Sequence, residues 1–463
     1  MNNFDSLFIN IINSIFRNIQ DKLSFISENS FFIKYLDKFI FFLLVVLLIA
    51  STFVTTNTLG TISFCIFILT LLKLMLVKDT KITIGPIGVI IFCFLIFTII
   101  SVFNSTLVGH SLKGFSKTLI YISFYFSMGL FFKDNKNKIL TVLSIISILV
   151  AIESIYALIQ GSWGIRQIST WQDVSNLNPE QVFTRVYGTL KPYNPNLLAA
   201  YSLLALIAPI SLFFVNILNR NYKLVLIYSA ISLITIITII QTGCRGAYLG
   251  LFAIFISACF IIFKLIKSNR YKDYFKIVIG SIIAIATFIT IITPALLKRV
   301  ISIFTLRADS STAFRLNVYN SSLKMFYDNF LFGIGTGNQT FREIYGLYMV
   351  SAFDALSSYN IFLEIGVESG IFALICFILI FFTLLYYGFR FIFSNNRDNM
   401  MDKIIVSGSI LVLIATIVHG FVDTVFFRPQ VQFIFWLNVA ILTTLVKSLK
   451  ETDNANINQL QIN

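Results

Sequence analysis

The stretch RADSSTAFRLNVYNSSLKMFYDNFLFGIGTGNQTFREIYGLYMVSAFDALSSYNIFLEIGVESG, residues 307–370, decides how the rest of the chain is read. It is the largest polar island in a sequence that is otherwise close to continuously apolar, and it lies between two hydrophobic spans. A membrane protein that spends this many residues on one loop usually works there. The first part reads as an amphipathic helix capped by Ser310 or Ser311, with Phe314, Val318, Ser321 and Met325 on one face at i, i+4, i+7 and i+11. The helix is expected to run to the GIGTGN turn at Gly333 to Asn338, where three glycines release the backbone from helical geometry.

Working outward, 57% hydrophobic and 12% charged residues over 463 positions, with a mean hydropathy of +0.86, put the chain in the membrane class. A soluble core of this size would need a far more charged surface. The five cysteines (Cys65, Cys93, Cys244, Cys259, Cys376) lie in or beside apolar spans without metal-ligand spacing, so neither disulfides nor a metal site is suggested. The net charge of +14 is dispersed and no groove-binding motif accompanies it. It therefore points to loop charges that set topology, and nucleic acid is not an expected partner.

About 20 apolar residues cross a bilayer, and twelve such spans can be placed. They are 39–56, 60–77, 86–103, 115–132, 138–159, 195–217, 223–241, 246–266, 275–296, 368–389, 403–422 and 430–448. Orientation follows from the short connections. With a cytoplasmic N-terminus the inside connections carry sixteen Lys and Arg, from Lys73 to Lys403, while the outside ones hold Lys113, Lys117, Arg245 and Arg428. The positive-inside rule selects this arrangement, with both termini cytoplasmic and the long loops 160–194 and 297–367 outward.

The fold class expected is all-α, a polytopic integral membrane protein of the bacterial inner membrane with about 12 transmembrane helices. Residues 37–448 form the membrane domain. Residues 1–36 form an amphipathic start that either lies on the bilayer or packs on the bundle. That start lacks the basic n-region, compact apolar core and cleavage site of a removable signal. The polar tail 449–463 is expected to be disordered.

Several polar residues interrupt this apolar background. Arg245, in QTGCRGAYLG, breaks a long apolar run. At the centre of a span an arginine would cost roughly 2.5–3.5 kcal/mol, so it either snorkels to the interface or meets a counter-ion or anionic ligand. Arg315 sits beside the stripe of the loop helix, either solvated or functional. Arg185, Asn194 and Asn196 lie where the other long loop enters a span. Pro195 can open that helix there, with Asn194 as its cap or with amides left for an anion. Glu364 and Glu368 share a helix face, as do His419 and Asp423. With Arg428, the latter pair forms either a proton-handling cluster or a hydrogen-bond network. No DxD, HExxH, GxSxG or Walker A motif is present, so no cofactor and no metal are expected.

Taken in order, RVYGTLKPYNPNLLAAY (185–201), TGCRGAYLGL (242–251), FRLNVYNSSLKMFYDNFLFGIGTGNQTF (314–341), ALSSYNIFLEIGVESGIFAL (355–374) and HGFVDTVFFRP (419–429) resemble the O-antigen ligase and polymerase superfamily. They are most similar to a cyanobacterial branch named for inorganic-carbon (bicarbonate) transport. The resemblance covers roughly the C-terminal three-fifths of the chain. It implies a GT-C-like fold and an outward cavity. There a polyprenyl-diphosphate-linked glycan is transferred, without metal, to a hydroxyl of an acceptor glycan or lipid. Carried over to this sequence, it implies catalytic roles for Arg245 and Arg315, with Tyr359 in the third slot. Arg185, Asn194, Asn196, Glu364, His419, Asp423 and Arg428 are then expected to bind substrate.

The third slot departs from the ligase pattern, which has a histidine before the Asn where this chain has Tyr359. A tyrosine near its ordinary pKa of about 10 is a poor base at neutral pH. Either Glu364 or the His419/Asp423 pair takes that step, or the chain transports bicarbonate or acts as a scaffold instead.

Overall fold

A computed structural model of the chain describes residues 13–23, 30–54, 56–78, 80–81, 87–164, 185–301, 310–350, 354–394 and 400–462. In hydrocarbon every backbone polar group must be satisfied within the chain, so apolar runs of this length close as helices. Ten helices among the described residues are long and apolar enough to cross a membrane, and they fall on ten of the twelve expected spans. The chain is an all-α polytopic membrane protein, with no strand among its described residues.

The other two expected spans, 39–56 and 86–103, are the shorter helices Leu36–Ala50 (15 residues) and Gly88–Asn104 (17 residues). The first rises only about 22 Å against a hydrocarbon core of about 30 Å. It stops early because the Ser51 and Thr52 hydroxyls donate to the carbonyls of Leu48 and Ile49, closing the helix end with side chains. Gly88–Asn104 instead packs along the Ile361–Ile392 helix.

Helix 13–23 is held against the bundle: the Gln20 amide donates to the carbonyls of Leu74 (2.8 Å) and Thr80 (3.1 Å). The first part of the expected amphipathic stripe, residues 1–12, lies outside the described residues. The last helix runs Pro429–Ile462, so the tail from 449, expected to be loose, continues as helix. Its polar residues include neither Pro nor Gly, and nothing there ends the hydrogen-bonded ladder.

The described residues of the island, 310–350 and 354–370, form a small core of their own on one end of the bundle. Helix Ser310–Asp328 buries the expected stripe of Phe314, Val318, Ser321 and Met325. These apolar side chains pack with Phe341, Tyr345 and Val367. The helix ends at Asp328, five residues before the glycines, and its cap at Ser310 or Ser311 lies outside the described side chains.

GIGTGN has a different task from the helix stop expected of it. Helix Ile361–Ile392 is broken at Gly370 (φ 78°), and the segment 330–335 fills the break. Ile334 N–H donates to Val367 O, Gly335 N–H to Glu368 O, and Ile371 N–H to Phe330 O, each near 3.0 Å. A Cβ at Gly370 would run into the Leu331 carbonyl. Part of the loop backbone is thus a structural element of a membrane helix, and the residues just before the break face the site described next.

Candidate functional site

The turn Thr242–Cys244 separates helix Tyr222–Gln241 from helix Arg245–Leu265, and cations from distant segments converge on it. Arg185 Nε donates to the Thr242 carbonyl (2.6 Å), and its terminal nitrogen to the Asn196 side-chain oxygen. Arg299 donates twice to the Gly243 carbonyl (2.9 and 2.7 Å). Arg245 begins the next helix. Asn196 is held in place locally, because Asn194 caps the helix that Pro195 opens and accepts from Asn196 N–H (2.8 Å). Asn196 Nδ2 then donates to Asp423 Oδ2 (3.0 Å), and Arg315 reaches the same oxygen at 3.4 Å. The other oxygen, Oδ1, accepts from Val425 N–H (3.1 Å).

These cations sense one another. Burial first, and then the like charges of Arg185 and Arg245, push the Arg299 guanidinium down to about 10. Arg185 is lowered by burial, with Arg315 adding to the effect and Cys244 and Asp423 opposing it. At about 10 the Arg299 guanidinium is still charged at neutral pH. Four guanidiniums therefore gather at one end of the bundle around a turn and a carboxylate.

Residues 230–378 match the family model described as O-antigen ligase. The matched stretch carries Arg245, Arg299, Arg315, Tyr359 and Glu364, and Arg185, Asn196 and Asp423 are bonded to it or beside it from outside its limits. The match supports the O-antigen ligase/polymerase superfamily and an O-antigen ligase-like function in a membrane, without singling out the inorganic-carbon branch. A search of curated proteins finds no match to the chain.

Beside the arginines of this ligase-like region lies a cavity of about 260 Å³. Asn196 and Asp423 line it and also bond Arg185 and Arg315, so they join the cavity lining to the arginine cluster. Tyr359, Glu364, Glu368, Asn194 and Arg428 line it as well. Arg185, Arg245, Arg315 and His419 do not. Arg428, Asn194 and Leu356 are exposed, marking the side on which the cavity opens.

The cluster expected of His419, Asp423 and Arg428 is divided. His419 is buried with Nε2 3.7 Å from Cys244 Sγ, Asp423 faces the arginines, and Arg428 stands at the cavity mouth. Shared helical spacing set only the azimuth of the first two, and the break of the helix at Gly420 turned the third away.

Tyr359 adopts a left-handed backbone (φ 54°) that places its ring against Arg315 (5.6 Å) and edge-on to Phe314 (5.8 Å). Tyr319 secures this turn by donating its hydroxyl to the Tyr359 carbonyl (3.2 Å). Burial, then the Asp423 charge, push the Tyr359 phenol up to about 12, with Arg315 opposing. It therefore keeps its proton at neutral pH and acts as a platform for the Arg315 guanidinium.

Two participants were not anticipated. Arg299, at the edge of the long loop 297–367, was not singled out in the sequence, and the Cys244–His419 contact joins residues whose sequence separation gives no signal.

Proposed function

We propose that the protein transfers a glycan from a polyprenyl-diphosphate carrier to an acceptor hydroxyl on the extracytoplasmic side, without a metal ion. The observation that carries this reading is the convergence of Arg185, Arg245, Arg299 and Arg315 beside a cavity in a chain with an O-antigen ligase-like region. When the anomeric carbon leaves the diphosphate, negative charge grows on the phosphate oxygens. Guanidinium forks supply bidentate donors to that charge in a site shielded from water. Arg315 is suited to capture the headgroup, because its 3.4 Å contact with Asp423 is long for a charge-assisted bond and a phosphate oxygen can replace it. The enclosed space is smaller than the roughly 300–1,000 Å³ of drug-sized ligand sites, enough for about one sugar ring at the reacting end of the acceptor.

The test is reconstitution of the full chain in lipid with a diphosphate-linked glycan and an acceptor glycan. Consumption of the donor in the presence of EDTA, lowered about 10²–10³-fold by Arg245→Ala and by Arg315→Ala, is the expected result. Transfer near the wild-type rate in both variants would overturn this function.

A further inference from the structure

Transfer to a hydroxyl needs a group that takes the hydroxyl proton, and the side chains around the cavity narrow the choice. Tyr359 holds its own proton. Asp423 has both oxygens engaged, by Arg315 and Asn196 on one side and Val425 N–H on the other. His419 does not line the cavity and faces Cys244. Lys117 and Arg428 are cations. Two carboxylates remain, Glu364 and Glu368. Glu368 senses Glu364 first, and then the Gly337 N–H and Lys117. Glu364 lies one turn closer to Tyr359, on the side of the Arg315 platform.

Glu364 is also aimed. Its side chain is 1% exposed, and its Oε2 accepts from both the N–H (2.6 Å) and the hydroxyl (2.9 Å) of Ser358. Asn360, the cap of the same helix, fixes the turn by accepting from Phe362 and Leu363 N–H. One carboxylate oxygen is thus anchored. The other, Oε1, has no hydrogen bond to the described residues and belongs to a side chain lining the cavity. Two donors on one oxygen fix the orientation of a base before substrate arrives.

We infer that Glu364 is the catalytic base of the transfer, receiving the acceptor's proton in the cavity while the arginines hold the diphosphate beside the Asn196–Asp423 pair. This rests on the glycosyl-transfer reading above. The acceptor oxygen bonds to the anomeric carbon as the bond from that carbon to the diphosphate oxygen breaks. The diphosphate departs with the electron pair, the hydroxyl proton passes to Glu364, and Glu364 returns it to water through the cavity mouth.

Glu364→Gln separates this role from a structural one. A glutamine oxygen can still accept both Ser358 bonds, so the 357–360 turn is kept while proton acceptance is lost. In the reconstituted full chain, transfer is expected to fall about 10²–10⁴-fold. Binding of the diphosphate-linked donor and the thermal unfolding temperature should stay at wild-type values, and Glu364→Asp should recover part of the rate. Transfer by Glu364→Gln near the wild-type rate would overturn the assignment. So would equal losses of donor binding and stability, which would mark Glu364 as a support of the turn. A wild-type chain that binds the donor but transfers nothing would overturn the glycosyl-transfer reading, and this inference with it.

Discussion

The two ends of the bundle treat buried cations differently. At the end near the termini, Lys73 has a side chain only 6% exposed and sits between Asp37 (2.8 Å) and Asp134 (2.7 Å), with Asn135 backing Asp37. At the loop end, Arg185 and Arg299 donate to main-chain and amide oxygens, and Arg315 shares the Asp423 oxygen at 3.4 Å. Both arrangements offset the cost of removing charge from water. The first does it with short direct ion pairs that leave nothing to exchange. The second uses neutral oxygens and one long contact, an arrangement a phosphate can enter. Charge clamps the fold in one case and, under the proposed function, prepares a site in the other.

The comparison breaks most visibly through paired substitutions. Arg245→Ala and Arg315→Ala should each lower transfer by about 10²–10³-fold, the loss typical of removing one transition-state donor. Their unfolding temperatures should stay near wild type. Asp37→Asn combined with Asp134→Asn should do the reverse, leaving Lys73 buried without a counter-ion at a cost of about 3–5 kcal/mol. The folded fraction of that double variant should transfer normally. If the arginine variants unfold instead of losing transfer, the distinction between the two ends fails.

Smaller effects sharpen it. Gly370→Ala forces a side chain into a left-handed backbone against the Leu331 carbonyl, and should cost about 1–3 kcal/mol in denaturant or thermal unfolding. Lys73→Met should cost less than the double aspartate variant, because Asp37 (39% exposed) and Asp134 (45% exposed) can turn to water. Tyr359→Phe should have the smallest effect. Its phenol, raised to about 12, is protonated across the working range in the folded chain. The pH–rate profile between about pH 6 and pH 9 should therefore be unchanged. A limb in that range that vanishes in the phenylalanine variant would restore a proton-transfer role to the tyrosine.

The membrane helices were legible because hydrocarbon enforces the rule that produces them. The stripe from Phe314 to Met325 was legible because helical spacing sorts faces. Arg185, Arg245 and Arg315 stood out because each is polar in apolar company. Arg299 did not, since in LLKRV it follows a lysine just past the end of an expected span and belongs to no motif. The divided fates of His419, Asp423 and Arg428 depended on where one helix ends. The break at Gly370 left no trace in the hydropathy pattern, because a lone glycine is tolerated in a helix and only the incoming 330–335 backbone makes it a fracture.

That fracture means the loop of residues 330–335 cannot be edited as loops usually are. Its peptide groups occupy positions in the hydrogen-bond ladder of a membrane helix, so lengthening it by one residue between Phe330 and Gly335 would misalign every partner at once. Insertions tolerated elsewhere on the rim should here be read out as a defect in the Ile361–Ile392 helix.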